Sequence, residues 1–459
     1  MSNVAAVIMA AGKGTRMKSK LPKVMHRLAG EPLIGHVLAL TERMGIVNPL
    51  LVLGHGRSLI EEYIREKASV VLQLEQLGTG HAVMQALPLL QEAEDVLILS
   101  GDQPLLRPET VQSLLTLHKE RDAVATVLTA ELPEPYGYGR VIRNGSQLLK
   151  IVEEKDATAE ERLIREVNTG TYCFKVNALR AALQRLTPQN AQGEYYLTGV
   201  FDFFLAAGSP VFTYCTPDRH EALGINSRVQ LAEAEQICRQ RLLRYWMDEG
   251  VTIEDPATVY IEAGVKLGSD VVLKPFVHLR GKTVIAGDSA LGPQVDLESC
   301  VCDTGTEIRY TVAKEAVIGK NCVIGPFAYL RPGTKLDDGV KVGDFVEIKN
   351  SRVGSASKIP HLSYIGDADI GSQVNIGAGT ITCNYDGVNK YLTQIGDGVF
   401  IGSNSNLVAP VEIGENAFVG AGSTITKKVP AGALAVERGT LRLRKDWRRA
   451  KPKAGGEEE

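Results

Sequence analysis

The sequence has no long hydrophobic run and no strong excess of charge. Of 459 residues, Lys and Arg number 51 and Asp and Glu number 54, so the formal net charge is only −3. This balance gives no electrostatic field that would attract nucleic acid. The apolar runs are short, residues 5–11 being among the longest, whereas a membrane-spanning helix needs about 20 apolar residues. We therefore expect a protein that binds neither nucleic acid nor membrane.

Cysteine pairs and a targeting segment are also missing. The seven cysteines are scattered, and none form a Cys-x-x-Cys pair. No basic cluster followed by an apolar core and a cleavage site is visible in the first residues, so no secretory signal is expected. Unpaired thiols are usual in the reducing cytoplasm. These features predict a cytoplasmic location.

A six-residue repeat organises the C-terminal half of the chain. An aliphatic residue returns every six positions, at Ile261, Leu267, Leu273, Leu279, Ile285, Leu291 and Leu297, then at Ile318, Ile324, Leu330, Leu336, Val342 and Ile348, and again at Ile395, Ile401, Leu407, Ile413, Val419 and Ile425. A period of six fits neither a helix nor a long strand. It is typical of short flat strands joined by tight corners, and it predicts the left-handed parallel β-helix of hexapeptide-repeat proteins.

The repeat is irregular in three places. Val353 and Ile370 each come one position early, and the pattern disappears over residues 377–394. A solenoid by itself is a scaffold that gives no function. Because local rules tend to fail at functional sites, these interruptions indicate a site close to His361, which lies between the two early positions.

Apolar strands and helical patterns alternate in the N-terminal half. Strands are predicted at residues 4–9, 49–53, 69–74, 96–99 and 123–128, and helices at 33–44, 58–67, 79–90 and 108–120. This alternation predicts a Rossmann-like α/β domain, with a parallel sheet covered by helices on both faces. Ligands of such sheets bind beyond the C-terminal ends of the strands.

A helical pattern at residues 228–250 separates the two halves. We expect one domain at residues 1–227, a linker helix at 228–250, and a repeat domain with a basic tail at 251–459. A helix that packs wholly on the first domain explains the same pattern equally well. The basic tail after residue 441 fits a solvated charge run or an anion-binding segment.

The first strand runs into a glycine-rich loop, Ala-Ala-Gly-Lys-Gly-Thr-Arg at residues 10–16. Glycines allow backbone amides to turn toward a phosphate, and Arg16 and Lys23 add positive charge. The spacing is neither that of a Walker loop nor that of the dinucleotide fingerprint. Taken alone, such a turn is more often structural than functional, and a lone strand-end carboxylate such as Asp102 is usually a cap or turn residue.

Together these segments resemble a known family. Residues 10–17 and 21–26 resemble the sugar-nucleotidyltransferase signature, and the likeness continues through residues 73–81, 101–102, 137–140, 151–157, 168–170, 190–198 and 224–226. The family is that of bifunctional bacterial enzymes that make UDP-N-acetylglucosamine, a precursor of peptidoglycan and lipopolysaccharide. It implies acetyl-CoA-dependent N-acetylation of glucosamine-1-phosphate. Uridylyl transfer from UTP to N-acetylglucosamine-1-phosphate then releases pyrophosphate.

The resemblance assigns residues to the uridylyl site. Those implied to contact uracil and ribose are Met9, Ala10, Ala11, Gly12, Gln73, Gln76, Gly78 and Thr79, those for the phosphates are Arg16 and Lys23, and those for the amino-sugar are Gly139, Glu153, Asn168 and Thr198. Asp102 and Asn226 would hold Mg²⁺, which prefers such oxygen ligands. Ser100 departs from the family, which commonly has an aromatic residue before Gly-Asp.

The resemblance also assigns the acetyltransferase site. Amine attack on a thioester needs a proton acceptor, here His361, and a donor to the tetrahedral intermediate, here the backbone N–H of Tyr385. The residues implied to bind glucosamine-1-phosphate are Arg331, Lys349, Tyr364, Asn375 and Lys390, and those implied to bind acetyl-CoA are Ala378, Asn384, Tyr385, Ser403, Ala421 and Arg438. Without the resemblance, a single histidine, arginine or lysine on the wall of a solenoid would usually be a solvated residue with no catalytic or binding role.

Two other functions share this architecture. One is a single-activity sugar-1-phosphate nucleotidyltransferase with a structural β-helix, which lacks the segments around His361 and Asn384 that this chain has. The other is a regulatory subunit of a translation-factor exchange complex, against which the intact Gly-Lys-Gly-Thr-Arg segment argues. The resemblance further implies a homotrimer formed through the β-helix.

Overall fold

The structure is a computed structural model that describes residues 3–12, 14–54, 57–445 and 447. These residues form two compact units, one of Met1–Tyr245 with Ile261–Gly264 and one of Trp246–Tyr260 with Val265–Glu459. Lys13 and the tail after residue 447 lie outside the described residues. Among the residues described, no helix combines the length and apolar character needed to cross a membrane. All seven cysteines are free, as expected.

A nine-stranded mixed sheet forms the centre of the first unit. Its strands are β1 (Val4–Met9), β2 (Leu50–Leu53), β3 (Ser69–Leu72), β4 (Asp95–Ser100), β5 (Ala125–Glu131), β6 (Arg140–Asn144), β7 (Gln147–Val152), β8 (Glu166–Lys175) and β9 (Val211–Cys215). They lie in the order β3-β2-β1-β4-β8-β5-β9-β7-β6. The strands β1 to β4 are parallel, as predicted.

The prediction of a wholly parallel sheet is wrong beyond β4. Strand β8 is antiparallel to both β4 and β5 and lies between them. Strands β6 and β7 are also antiparallel, because the residues between them are too few for the crossover that parallel strands need. A separate short hairpin pairs Arg27–Leu28 with Glu31–Pro32.

Helices cover both faces of this sheet, as expected. They span Leu33–Arg43, Arg57–Ile64, Thr79–Ala86, Pro108–Glu120, Val176–Leu183 and Val200–Ala206. Because successive strand residues point to opposite faces, Val7 and Ile8 of β1 belong to two different apolar clusters. Phe174 and Phe201 fill one cluster, and Leu51 belongs to the other. The sheet is therefore buried on both sides, and ligands can approach it at the ends of its strands.

The helical pattern between the two halves is a single long helix, Arg228–Asp248. Its apolar side chains form a cluster with residues of the first unit, made of Leu28, Leu33, Leu105, Ile225, Leu231, Ala234, Ile237 and Cys238. Arg241 also donates to the backbone oxygen of Leu105 at 2.6 Å. The first part of this helix therefore packs on the first unit and does not bridge through solvent.

The second unit is the predicted left-handed parallel β-helix, with three walls. Wall 1 contains Thr252–Ile253, Val272–Leu273, Ala290–Leu291, Glu307–Ile308, Val323–Ile324, Lys341–Asp344, Lys358–His361, Asn375–Ile376, Phe400–Ile401, Phe418–Val419 and Leu434–Ala435. Wall 2 contains Tyr260–Ile261, Val277–Arg280, Val295–Glu298, Thr311–Lys314, Tyr329–Leu330, Glu347–Lys349, Tyr364–Gly366, Ile381–Cys383, Asn406–Val408 and Thr424–Ile425. Wall 3 contains Lys266–Leu267, Val284–Ile285, Val301–Cys302, Val317–Ile318, Lys335–Leu336, Arg352–Val353, Ala368–Ile370, Thr393–Ile395 and Val411–Ile413.

The strand register corrects one interpretation of the repeat. The inward ladder does not stop after Leu297, because Cys302, Ile308 and Ala313 take the next inward positions and are buried. The coils there are one or two residues shorter than the regular ones, like the coil at Val353. Early positions therefore also occur in coils that hold no predicted site residue, and they do not mark a site by themselves.

The gap at residues 377–394 is a loop added to an otherwise complete coil. Thr382 takes the inward position there and pairs with Leu407 of the next coil. The chain then leaves the wall and forms a small hairpin in which Tyr385 lies opposite Lys390. The carboxylate of Asp386 closes its turn by accepting hydrogen bonds from the N–H groups of residues 388 and 389, at 2.8 and 2.7 Å. The gap thus marks an ordered insertion.

Candidate active sites

A cavity of about 610 Å³ lies at the C-terminal ends of strands β1, β3 and β4 of the first unit. It brings together most residues that the resemblance assigns to the uridylyl site, namely Met9, Ala10, Ala11, Gly12, Arg16, Lys23, Gln73, Gln76, Gly78, Thr79, Asp102 and Asn226. Sequence reasoning gave no role to several other lining residues, including Thr15, Val24, Ala82 and Glu194, although three of these lie within the segments that carry the resemblance. Ser100, the departure from the family, also lines this cavity.

Backbone constraints explain the spacing of the glycine-rich loop. Gly14 has a φ of +59°, and a Cβ atom there would lie 2.7 Å from the Cβ of Lys23. Only glycine allows the loop to pack so closely on the Lys23 stem. The Gln76 side chain donates a hydrogen bond to the backbone oxygen of Ala11, which joins this loop to the segment after β3. The two loops therefore form one continuous wall of the cavity.

The two expected metal ligands face the same cation. The Lys23 ammonium forms an ion pair with the Asp102 carboxylate and donates to Oδ1 of Asn226 at 3.0 Å. The N–H of Ile225 donates to the backbone oxygen of Asp102 at 2.9 Å, which fixes the two segments together. Among the described residues, no three His, Cys, Asp or Glu side chains gather into a metal site. One carboxylate and one amide oxygen fit Mg²⁺, which takes its remaining ligands from phosphate and water.

The residues assigned to the amino-sugar form a second cluster outside the lining of this cavity. Thr198 donates to Glu153 at 2.8 Å, and the N–H of Asn168 donates to the oxygen of Gly139 at 2.8 Å. Asn168 also donates to the Tyr172 hydroxyl at 2.7 Å. Burial raises the pKa of Glu153, although the Thr198 hydrogen bond acts in the opposite direction. The cluster therefore offers a desolvated carboxyl and an amide, groups that suit hydroxyl and acetamido partners.

One corner of the β-helix carries most of the residues assigned to acetyl transfer. The corner column, one residue per coil between walls 1 and 2, consists of Asp344, His361, Ala378, Ser403 and Ala421. Its members are tied to the following coil, since the oxygens of Ala378 and Ser403 accept from backbone N–H groups at 2.7 and 2.8 Å. Arg438 Nε donates to the oxygen of Ala421 at 3.3 Å. The proposed base and the acetyl-CoA residues thus share one line along the solenoid.

The residue that follows this corner position has a positive φ in nine successive coils, beginning four coils before Asp344. These residues are Phe276, Gln294, Tyr310, Phe327, Phe345, Leu362, Gly379, Asn404 and Gly422. Up to Leu362 most of them are large, apolar and exposed, whereas from Gly379 onward they are small or polar. The centroid of the Phe327 ring lies 5.4 Å from the ring centroid of Tyr310 and 5.4 Å from that of Phe345. We call Phe276, Tyr310, Phe327, Phe345 and Leu362 the apolar corner ladder.

The column contains a carboxylate that sequence reasoning missed. Nδ1 of His361 lies 2.5 Å from Oδ1 of Asp344, in the preceding coil. The hydrogen bond from His361 is the main reason that the pKa of Asp344 is lowered. This contact orients the ring and leaves Nε2 as the ring nitrogen not engaged with the carboxylate, on a half-exposed side chain. The only signal in the sequence was the coil length, which places Asp344 directly beside His361 once the register is known.

Of the three cations assigned to the sugar phosphate, Arg331 and Lys349 lie on wall 2 and Lys390 lies in the inserted hairpin. Arg331 pairs with Glu347 at 2.9 Å. The nearby Lys349 side chain is the main cause of a lowered pKa at Lys390. The Tyr364 hydroxyl acts electrostatically on both Arg331 and Lys390, so the four residues share one patch.

Asn375 is placed differently from the other residues assigned to glucosamine-1-phosphate. It lies on wall 1, where it pairs with Lys358 of the preceding coil and Phe400 of the next coil. Wall 1 also carries the strand that ends at His361. Arg331, Lys349, Lys390 and Tyr364 thus form one group, whereas Asn375 lies on the neighbouring wall.

The inserted hairpin begins at a tightly held asparagine. Asn384 donates to Asp367, whose pKa falls because hydrogen bonds from Asn350 and Asn384 and the nearby lysine charges outweigh its burial. Tyr385 follows, in a hairpin pair whose hydrogen bonds are made by the residues on either side of it. Within the described ranges, no acceptor binds the N–H of Tyr385. That N–H is therefore available to a ligand.

Comparisons with known proteins place the whole chain. The family model "MobA-like NTP transferase domain" matches residues 6–171, and the model "Bacterial transferase hexapeptide (six repeats)" matches residues 315–350 and 392–427. The chain is 61% identical over 453 residues to the bifunctional protein GlmU of Desulfitobacterium hafniense, covering 99% of this chain and 100% of that one.

Two further relatives agree with this placement. The bifunctional protein GlmU of Heliobacterium modesticaldum is 51% identical over 444 residues, covering 96% of this chain and 97% of its own. That of Carboxydothermus hydrogenoformans is 51% identical over 442 residues, covering 96% and 99%. The chain therefore belongs to the family of bifunctional GlmU proteins, and the uridylyltransferase and acetyltransferase activities predicted from the sequence resemblance are confirmed.

Proposed function

We propose that the cavity of the first unit is the uridylyl site and that the corner column of the second unit, with the inserted hairpin, is the acetyl site. Residues 1–227 and 251–459 then carry one activity each. The observation that carries this assignment is the pairing of His361 with Asp344, on the same line as the residues assigned to acetyl-CoA. A solenoid that served only as a scaffold would have no need of an oriented imidazole there.

In the uridylyl site, a phosphate oxygen of N-acetylglucosamine-1-phosphate attacks the α-phosphorus of UTP. The bond from that phosphorus to the pyrophosphate oxygen breaks, and pyrophosphate leaves. Arg16 and Lys23 hold the phosphates, while Asp102 and Asn226 would hold Mg²⁺. When bound, Mg²⁺ neutralises charge that develops on the phosphate oxygens. The convergence of Asp102 and Asn226 on the Lys23 ammonium supports this assignment, because both oxygens already face a cation.

In the acetyl site, the amine of glucosamine-1-phosphate attacks the thioester carbonyl of acetyl-CoA. Nε2 of His361 accepts the amine proton, because Nδ1 is engaged with Asp344. The N–H of Tyr385 donates to the carbonyl oxygen as it becomes negative. The carbon–sulfur bond then breaks and coenzyme A leaves, which yields N-acetylglucosamine-1-phosphate. Arg331, Lys349 and Lys390 hold the sugar phosphate.

We also propose that the β-helix assembles as a homotrimer. The apolar corner ladder is exposed in a single chain, Phe345 being 58% accessible. His361 and Tyr385 are similarly open to solvent, whereas acetyl transfer is favoured in a site that excludes water. Two further copies of this chain would cover the ladder and close the site. A cytoplasmic location belongs to the same proposal, supported by the seven free cysteines.

Separate loss of the two activities tests the assignment. The protein is incubated with glucosamine-1-phosphate, acetyl-CoA, UTP and Mg²⁺, and both products are followed. Asp102→Ala lowers uridylyl transfer by at least about 10³-fold and spares acetylation. His361→Ala lowers acetylation by roughly 10² to 10⁴-fold and spares uridylyl transfer.

Matched controls come from the same units. Asp122→Ala removes a surface carboxylate of the first unit that pairs with Lys175. His278→Ala removes a wall 2 histidine that packs on Tyr260, with ring centroids 4.8 Å apart. Neither control changes either rate by more than about twofold. A folded Asp102→Ala or His361→Ala protein that lost both activities would contradict the two-site proposal.

A further inference from the structure

The Gln73 amide lies at the wall of the uridylyl cavity, and its nitrogen is held by two partners. Gln73 follows strand β3 and is only 3% exposed. Its Nε2 donates to the backbone oxygen of Gly78 at 3.1 Å and lies 3.0 Å from Nδ1 of His81. Both N–H bonds of the amide are therefore used within the protein.

The oxygen of Gly78 determines how the amide and the imidazole are oriented. A backbone oxygen only accepts hydrogen bonds, so the Gln73 atom that faces it is the nitrogen. The same nitrogen faces Nδ1 of His81, so Nδ1 is an acceptor and the proton of the neutral ring is on Nε2. Nε2 of the Gln85 side chain, one helical turn later, lies 3.1 Å from that ring nitrogen and 3.5 Å from the backbone oxygen of His81. Turning this amide over would bring its oxygen to the ring N–H as an acceptor.

With both N–H bonds engaged, Gln73 has only its Oε1 atom left for a ligand. That atom accepts and cannot donate. Uracil carries an N–H at the third position of its ring, whereas cytosine has a lone pair there. An acceptor held in place therefore pairs with uracil and is repelled by cytosine. A site built around such a fixed polar partner discriminates strongly between two bases of the same size.

We propose that His81 determines the base specificity of the uridylyl site by holding the Gln73 amide with its oxygen toward the base. This inference rests on the proposed function of the cavity and adds a residue to it. His81 is half-buried on the helix Thr79–Ala86 and acts on the base through Gln73, so it is a positioning residue. Without the Nδ1 acceptor the amide can turn over and offer its N–H groups, which suit cytosine.

The experiment compares kcat/KM for UTP with kcat/KM for CTP, using the full-length protein, N-acetylglucosamine-1-phosphate and Mg²⁺. His81→Ala lowers the UTP-to-CTP ratio about tenfold, the effect of one oriented neutral hydrogen bond. His81→Asn places an amide oxygen where Nδ1 was and keeps the ratio within about threefold. His81→Gln reaches only to the place of Nε2 and does not restore it. Acetyl transfer by the same preparations stays within about twofold, as the folding control.

Equal loss of kcat/KM for both nucleotides in His81→Ala, with an unchanged ratio, would overturn the inference and leave His81 a structural residue. Equal ratios for His81→Asn and His81→Gln would overturn it as well, even if His81→Ala failed to fold. Gln73→Leu separates this failure from failure of the site itself. If Gln73→Leu lowers the ratio and His81→Ala does not, only the role of His81 is wrong. If Gln73→Leu leaves the ratio unchanged, the assignment of Gln73 to the base fails too.

Discussion

The two sites of this chain differ in how much of each one a single chain supplies. The proposed uridylyl site is a cavity of about 610 Å³, lined by loops that follow three strands of one sheet. The proposed acetyl site lies on a convex corner, where the His361 side chain is 55% exposed. A doubly wound sheet creates a concave site by its topology, because its loops meet at one edge. A solenoid corner is convex, so it can only contribute a line of groups to a site closed by something else.

This difference indicates that the second activity depends on association and the first does not. Groups in a closed cavity act in a medium of low polarity, where their hydrogen bonds and charges are stronger than in water. The corner groups are close to solvent until another surface covers them. Assembly of the chain with further copies is therefore expected to affect the two activities unequally, and three substitutions test this difference.

The largest effect is expected from a charge placed on the apolar corner ladder. Phe345→Asp puts an unpaired carboxylate between the neighbouring ladder residues Phe327 and Leu362, which separates the subunits. Acetylation falls by about 10²-fold or more, while uridylyl transfer stays within about twofold. Light scattering after size-exclusion chromatography gives the oligomeric state beside the two rates. Val317→Asp, on the exposed face of wall 3, is the control and keeps both properties.

A Phe345→Asp protein that remained trimeric with full acetylation would show that the ladder is not the interface. A monomer with full acetylation would show instead that the corner needs no cover, and the contrast between the two sites would disappear.

A smaller effect is expected from removing the carboxylate that orients His361 within a single chain. Asp344→Ala removes the partner of His361 Nδ1 and lowers kcat for acetylation roughly 10 to 100-fold, with KM for both substrates nearly unchanged. Asp344→Glu restores part of the rate because it returns a carboxylate. Steady-state kinetics with each substrate varied in turn measures the split. An effect on KM alone would mean that Asp344 contacts substrate and does not position the imidazole.

The smallest effect concerns the phosphate cations. Lys349→Met removes the main cause of the lowered pKa at Lys390, so the pKa of Lys390 rises toward its ordinary value. KM for glucosamine-1-phosphate rises about tenfold through the loss of one charge-assisted contact, while kcat is kept. The pH dependence of amine labelling at Lys390, read by mass spectrometry, reports the pKa shift. Lys335→Met on wall 3 is the control. An unchanged labelling profile would show that the two ammonium groups do not interact.

The sequence predicted the regular parts of both units because each has a period that backbone geometry imposes. Pro108–Glu120 begins and ends where the helical pattern does. The six-residue ladder correctly indicated the three-walled solenoid. The antiparallel strand β8 was not foreseen, because a strand's neighbour depends on long-range pairing that its own residues do not encode. The inward positions of Cys302 and Ala313 were missed because neither is a large aliphatic residue.

The parts of the sites that the sequence did not predict are contacts across coils and loops. Asp344 and His361 are distant in sequence but adjacent in space, because the coil between them fixes their register. His81 lies inside a segment that the resemblance includes. Its role becomes visible only because Nε2 of Gln73 contacts both the Gly78 oxygen and Nδ1 of His81, which fixes the orientation of the Gln73 amide. Such information comes from the direction of hydrogen bonds, which residue identity does not determine.

The number of coils in the corner column sets the length of ligand that the column can contact. Neighbouring strands lie about 4.8 Å apart, so the four coil steps from His361 to Arg438 cover about 19 Å. If acetyl-CoA lies along the column as proposed, the number of coils fixes how far its far end can be from the reacting carbon. Deleting one whole coil between Ser403 and Arg438 would leave His361 and the bound glucosamine-1-phosphate in place. The far end of acetyl-CoA would then extend beyond the last residue that contacts it. The number of repeats in the solenoid would then determine which length of acyl donor binds along its whole extent.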